Sequence, residues 1–139
     1  MYKCKYYSIK ELVNPAFLKT FNEDMLWMFF DDRLLRAADI LRQKYGIITV
    51  NAGSLTDAGA RMQDTNTGAA YSAHKMFRAL DLHIKAIDDK FSGQLRINEY
   101  NAIRRSLLTD NRFDFLNFED NISWLHCDTY NRDKRTFLP

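Results

Sequence analysis

Cysteine, proline and glycine are all scarce in this chain of 139 residues, which contains two, two and five of them. Cys4 and Cys127 stand alone and far apart, so neither a disulfide framework nor a four-cysteine metal site can be built, and two free thiols are expected. So few prolines and glycines, beside 14% aromatic residues, exclude a disordered tail or a low-complexity linker. No apolar run approaches the length of a transmembrane helix. The start Met1-Tyr2-Lys3-Cys4-Lys5 lacks the apolar stretch and small-residue cleavage site of a secretory signal, which predicts synthesis in a cytosol. Charge of one sign is missing too. The 20 basic and 18 acidic residues are interspersed, for a net charge of +2, without the run of like charge that marks a nucleic-acid arm, so no nucleic-acid partner is expected. The pI near 8.5 suits an anionic polymer such as a bacterial wall and equally many cytosolic proteins.

What is present reads as one domain over residues 1–139 with its own core. Ser8 with Glu11 has the form of a capping box for a short helix that Asn14-Pro15 ends, and Asn14 can cap the next one. Apolar residues from Leu26 to Leu41 recur at spacings of three and four, predicting one helix from about Glu23 to Lys44 that stops at Gly46. The aromatics Trp27, Phe29 and Phe30 on it are assigned to core packing. Ile47 to Val50 reads as a buried strand. Residues 51–71 lose all periodicity and form a long loop, taken as one wall of a cleft. Alternation predicts strands over Ala79–Lys85 and Ile122–Asp128, with a further strand from within Asn111 to Asp120 that leads into the last one. Asn98 to Leu108 reads as a helix with Arg104 and Arg105 on a solvated face, and the charged tail after Tyr130 is expected to fray. The fold class is therefore α+β, a small antiparallel sheet packed against helices.

His74, Asp81 and His126 can hold a zinc ion by three protein ligands and leave a fourth position free, the arrangement of a catalytic site. In a straight helix His74 and Asp81 would lie about 10 Å apart along the axis, too far to share an ion. A two-residue hairpin with Phe77-Arg78 at its tip would instead set them directly opposite, with Cβ atoms about 4.5–5.5 Å apart. His126, sharing a face with Ile122, Trp124 and Asp128, could complete the site from another strand. Read on its own, His74 is more often a polar surface residue. His83 is read as a structural histidine before a further ligand, and Asp128 either bonds a ligating histidine or merely sits at a strand end. Cys127 points opposite His126, which disfavours a Cys-His nucleophile, and Ser72 has no base beside it.

Ser72, His74, Ala79 and Asp81, followed by Trp124-Leu125-His126, resemble the signature of a zinc peptidase family. It includes D-Ala-D-Ala carboxypeptidases, vancomycin-resistance dipeptidases and phage L-alanyl-D-glutamate endopeptidases, with the hedgehog signalling domain as a relative in fold. Its pattern runs Ser-x-His-x-x-Gly-x-Ala-x-Asp, then Trp-x-His. The subgroup the chain looks most like is the short lysis or virion-associated peptidases of bacterial viruses, the endolysins. The resemblance extends more weakly over Tyr6 to Tyr130, and implies that His74, Asp81 and His126 ligate Zn2+ and that Arg61, in Gly59-Ala60-Arg61, orients or polarises the substrate carbonyl or carboxylate. One position departs: the family glycine falls at Phe77, where a type II′ hairpin needs positive φ. The family's general base lies three or about six residues before the last histidine. Ser123, three before, cannot serve, which leaves Asp120 and, as the alternative, Glu119.

The resemblance implies a zinc metallopeptidase that hydrolyses amide bonds in bacterial peptidoglycan stem peptides, as carboxypeptidase or endopeptidase. It would act as a monomer at the cell wall, delivered by a bacteriophage or with its particle. The competing expectation is a non-catalytic zinc-binding virion structural or binding module of the same fold. A third is an interaction domain without metal, supported if His74 and His126 lie far apart.

Overall fold

In the computed structural model, which describes residues 1–139, the Glu11 carboxylate reaches back to the Ser8 N–H at 2.8 Å and opens α1 (Ile9–Leu12). Asn14 then accepts from the Ala16 N–H at 2.9 Å and starts a 3₁₀ turn, Pro15–Lys19. The single long helix expected next is two: α2 (Glu23–Phe29) and α3 (Asp32–Tyr45). Asp31 causes the break, because its side chain accepts from the Arg33 N–H at 2.9 Å and caps a new helix instead of continuing the old one. The apolar spacing runs on across the break, so Leu26, Trp27, Phe30, Leu34, Leu35 and Leu41 all reach the same core. Gly46 ends α3 at φ 80°.

The fold is α+β. Its sheet comprises β1 (Ile48–Thr49), β2 (Ala79–Ile84), β3 (Asn117–Glu119), β4 (Leu125–Asp128) and β5 (Thr136–Phe137), in the order β1-β2-β4-β3-β5. Between β2 and β3 lie α4 (Lys85–Asp88) and α5 (Gly93–Leu108). Leu80, Leu82, Leu125, Cys127 and Phe118 are buried against the helices, with Tyr100 and Leu107 from α5. Neither helix nor multi-residue strand forms over the loop expected at 51–71. It is tied down by the Asn51 side chain, which donates to the Val13 carbonyl at 2.9 Å and accepts from the Ala58 N–H at 3.0 Å.

Two expectations need correction. The tail after Tyr130 does not fray: it returns as β5, parallel to β3, so the sheet is not wholly antiparallel. The Phe118 N–H donates to the Arg135 carbonyl at 2.7 Å, and the Arg135 guanidinium donates to the Leu108, Phe113 and Leu116 carbonyls. One side chain thus satisfies backbone acceptors left over at the end of α5 and the turn after it. Arg104 is not solvated either, at 1% exposure. Its guanidinium donates to the Ile122 and Trp124 carbonyls and to Asn101 Oδ1, which fixes the turn leading into β4. Arg105 is the exposed member of the pair. No helix is long and apolar enough to cross a membrane.

Candidate metal centre

Pairing of β2 with β4 places Asp81 directly opposite His126. His74 arrives by a route other than the expected hairpin. Ala73–Met76 is a 3₁₀ turn capped by Ser72 Oγ, which accepts from the His74 N–H at 3.3 Å, and the strand partners of β2 are β1 and β4. The turn ends at Phe77 in the left-handed region, φ 56° and ψ 32°. Such a conformation costs a non-glycine residue roughly 1–2 kcal/mol. Burial offsets it: the Phe77 ring meets those of Phe17, Phe29 and Phe30 edge-on, at 5.1, 5.3 and 5.0 Å between centroids, and full burial of a phenylalanine contributes about 1.5–3 kcal/mol. An anchored ring therefore holds the turn that glycine would otherwise make easy.

His74, Asp81 and His126 are all buried, and their donor atoms converge. His74 Nε2 lies 3.3 Å from His126 Nδ1 and 3.3 Å from Asp81 Oδ1, and His126 Nδ1 lies 2.8 Å from Asp81 Oδ1. Ligands at 2.0–2.1 Å on a tetrahedral zinc stand about 3.3 Å apart, so two of these edges already have the required length and the third needs only a slight opening. The remaining ring nitrogens have their own acceptors. His74 Nδ1 donates to the Gly59 carbonyl at 2.9 Å, and His126 Nε2 donates to Asp128 Oδ2 at 3.0 Å. Each acceptor selects the tautomer whose other nitrogen faces the cluster. Asp81 is held likewise, its Oδ2 accepting from Arg61 at 3.2 Å while Oδ1 faces the histidines. The donor set could therefore hold a metal ion.

Gly59 supplies the His74 acceptor because it can approach α1 without a side chain. A Cβ there would lie 1.9 Å from the Leu12 carbonyl oxygen. Gly59→Ala is expected to displace this loop, to lower stability by about 2 kcal/mol or more, and to loosen His74. Thermal melts with and without zinc test it, and an unchanged Tm together with unchanged zinc affinity would contradict the assignment. Asp128 acts on His126 in the same way, itself held by Asn117 at 2.7 Å and Arg132 at 2.8 Å. Asp128→Asn is expected to weaken zinc binding by about 10–100-fold. Competition with a chromophoric chelator measures this.

Burial alone would push the His126 pKa down, but Asp128 and Asp81 outweigh it and lift the pKa to about 9. Burial likewise opposes ionisation of Asp81, and hydrogen bonds from His126 and His74 overcome it, so the carboxyl stays below its usual range. Asp128, desolvated but bonded to His126, Arg132 and Asn117, falls to about 2. In chelator-treated protein the raised His126 pKa contributes stability that is complete below the unfolded value, about 6.5, and disappears as pH rises through the folded value. Its Tm should therefore fall between about pH 6.5 and 8, before thiols ionise. A metal ion held by His126 would displace that proton, so any stabilisation produced by an added divalent ion such as zinc should grow over the same window. A flat apo profile would contradict the coupling.

The three ligating candidates lie in a cavity of about 510 Å³ that Arg61, Glu119 and Trp124 also line. Glu119 and Asp120 fall in different places. Asn117 bonds Asp128 on the His126 side of the sheet, and Glu119, two residues further along β3, shares that face. Asp120 lines a separate depression with Asn101 and Arg105. Arg61 donates through Nε to the Asp57 carbonyl at 2.6 Å and through one terminal nitrogen to Asp81, leaving its other nitrogen without a protein partner. His83 lies outside the cluster, 3.6 Å from Asp88, and Cys127 is buried on the opposite face from His126.

Arg132 and Phe137 were not foreseen. The Phe137 ring stands edge-on to His126 at 5.7 Å, and the Arg132 guanidinium lies 3.8 Å from the Phe137 centroid while bonding Asp128. Only the short apolar pair Phe137-Leu138 within the charged tail could have signalled a strand there. Comparison of the chain with protein-family models, curated proteins and solved structures returned no match.

Proposed function

We propose that the protein is a zinc-dependent peptidase acting on amide bonds of bacterial peptidoglycan stem peptides, as a carboxypeptidase or endopeptidase. The observation that carries this reading is the triangle of His74 Nε2, Asp81 Oδ1 and His126 Nδ1, with sides of 3.3, 3.3 and 2.8 Å, in a cavity that also presents a carboxylate, Glu119, and a guanidinium, Arg61. The peptidoglycan substrate follows from the resemblance of Ser72, His74, Ala79, Asp81, Trp124 and His126 to the zinc peptidases named above.

His74, Asp81 and His126 would hold the ion, which when bound supplies Lewis acidity towards a carbonyl and lowers the pKa of water. The protein's own groups do the rest. Glu119 accepts the proton of the attacking water and returns it to the leaving amine. The unpartnered Arg61 nitrogen is placed to hold the substrate carbonyl or a neighbouring carboxylate, while its Asp81 contact keeps Oδ1 turned to the histidines. The Nε2–H of His126, fixed on Asp128, keeps Nδ1 free of a proton when metal is present.

The test is release of new amino groups from purified peptidoglycan by zinc-loaded protein. The reading expects release that a chelator stops and added zinc restores. Stable zinc binding without release would make the chain a non-catalytic zinc-binding module.

A further inference from the structure

We infer that the arginine-lined cavity beside the metal cleft is a second binding subsite, which takes an oxyanion group, carboxylate or phosphate, carried by the wall polymer at a distance from the cleaved bond. This rests on the peptidase reading for the identity of the polymer, but the anion site itself does not.

The cavity measures about 1010 Å³, and its lining includes Arg33, Arg78, Arg132 and Arg135 against a single carboxylate, Asp114. It adjoins the metal cleft, because Tyr130 and Arg132 line both. The charges of this lining are incompletely neutralised. Arg33 and Arg78 share one carboxylate, Asp31, at 2.7 and 3.4 Å, and their side chains remain 57% and 46% exposed while Asp31 is only 9% exposed. Arg135 directs its donors to three backbone carbonyls and has no carboxylate partner. Arg132 is paired with Asp128. Positive charge in excess, in a concave polar site, concentrates field on an anion, and guanidinium forks match carboxylate and phosphate oxygens. The uncharged lining is half polar, with Asn117, Thr129 and Asn131, and half apolar or aromatic, with Met76, Phe115 and Tyr130.

The position gives the subsite its use. A polymer whose peptide lies across His74 and His126 would extend past Arg132 into the arginine cavity, so that contacts remote from the reacting bond hold it in place. Arg78, whose one contact to Asp31 is 3.4 Å long, keeps most of its donors for this, and Arg33, held on Asp31 through Nε and one terminal nitrogen at 3.1 and 2.7 Å, keeps its other terminal nitrogen.

The first arm needs neither metal nor turnover: inorganic phosphate is titrated into chelator-treated protein while the arginine Nε–H NMR signals are followed. Saturable shifts at Arg33 and Arg78, absent in the Arg33→Gln, Arg78→Gln double variant, are expected. No saturable shift, or one unchanged in the variant, overturns the site. Both side chains are exposed, and the single variant Arg78→Gln provides a check should the double variant fold poorly. The second arm compares whole peptidoglycan with soluble stem peptide in the zinc-loaded protein. The double variant should raise KM for the polymer about threefold to tenfold, with kcat and the soluble peptide unaffected. Equal KM values for variant and wild type on the polymer overturn the substrate role. Repeating the comparison on wall extracted with hydrofluoric acid, which removes phosphodiester-linked polymers, separates the sources: a KM difference that vanishes assigns phosphate, and one that persists assigns carboxylate. Failure of hydrolysis in the wild type would count against the peptidase reading alone, because phosphate binding is read independently.

Discussion

Glu119→Gln is expected to keep zinc and to lower peptide hydrolysis by about 10²–10⁴-fold, the usual contribution of a positioned general base. The expectation follows from strand register. Phe118 pairs with Cys127 and is buried in the core, so its neighbours Asn117 and Glu119 turn to the face that carries Asp128 and His126. Asn117 confirms the direction by its 2.7 Å bond to Asp128. Asp120, equally acceptable from its distance in sequence to His126, leaves β3 after its N–H donates to the Phe137 carbonyl, and lines a depression with Asn101 and Arg105. Asp120→Asn should therefore change hydrolysis little. Zinc content measured alongside initial rates separates loss of the base from loss of the metal. If Asp120→Asn abolished hydrolysis while Glu119→Gln did not, the base would have been assigned to the wrong carboxylate.

His126→Ala should have the larger effect, because it removes a ligand and the cation between two buried carboxylates. A structural four-ligand zinc site binds with roughly 10–16 kcal/mol, so losing one of three ligands here should weaken binding on the order of 10³-fold. In chelator-treated protein the variant leaves Asp81 and Asp128 without the imidazolium that each bonds, at 2.8 and 3.0 Å, and breaking a buried pair of this kind costs about 3–5 kcal/mol. Should that unfold the chain, His74→Ala tests ligation separately, since it leaves His126 and both carboxylates in place. Zinc-dependent rise in Tm for either variant, equal to that of the wild type, would contradict the ligand set.

Much of the frame was legible in the chain itself. Ser8, Asn14 and Gly46 mark helix ends by local chemistry, and local chemistry survives folding. The alternation of Ala79 to Ile84 and of Leu125 to Asp128 set Asp81 and His126 within strands, and the antiparallel pairing then brought them opposite each other. What could not be read was set by distant partners. Phe77 occupies a left-handed turn because Phe17, Phe29 and Phe30 close around its ring, and three of those four positions are far apart in sequence. That turn is why His74 comes from a 3₁₀ segment rather than a hairpin strand. Asp31 looked like one polar residue within a helical period, yet its bond to the Arg33 N–H split the helix. Arg104 read as a solvated charge and the tail that carries Arg135 as frayed, and each of these two arginines became a buried or half-buried clamp on carbonyls left open by the ends of other elements. Side-chain-to-backbone bonds of this kind leave no periodic trace.

The most direct test of the metal centre is zinc content after loading and exhaustive dialysis, determined by elemental analysis on the wild-type chain. About one zinc per chain is expected, held by two imidazoles and one carboxylate. A chain that retains no zinc, although folded and fully supplied with it, would contradict ligation by His74, Asp81 and His126.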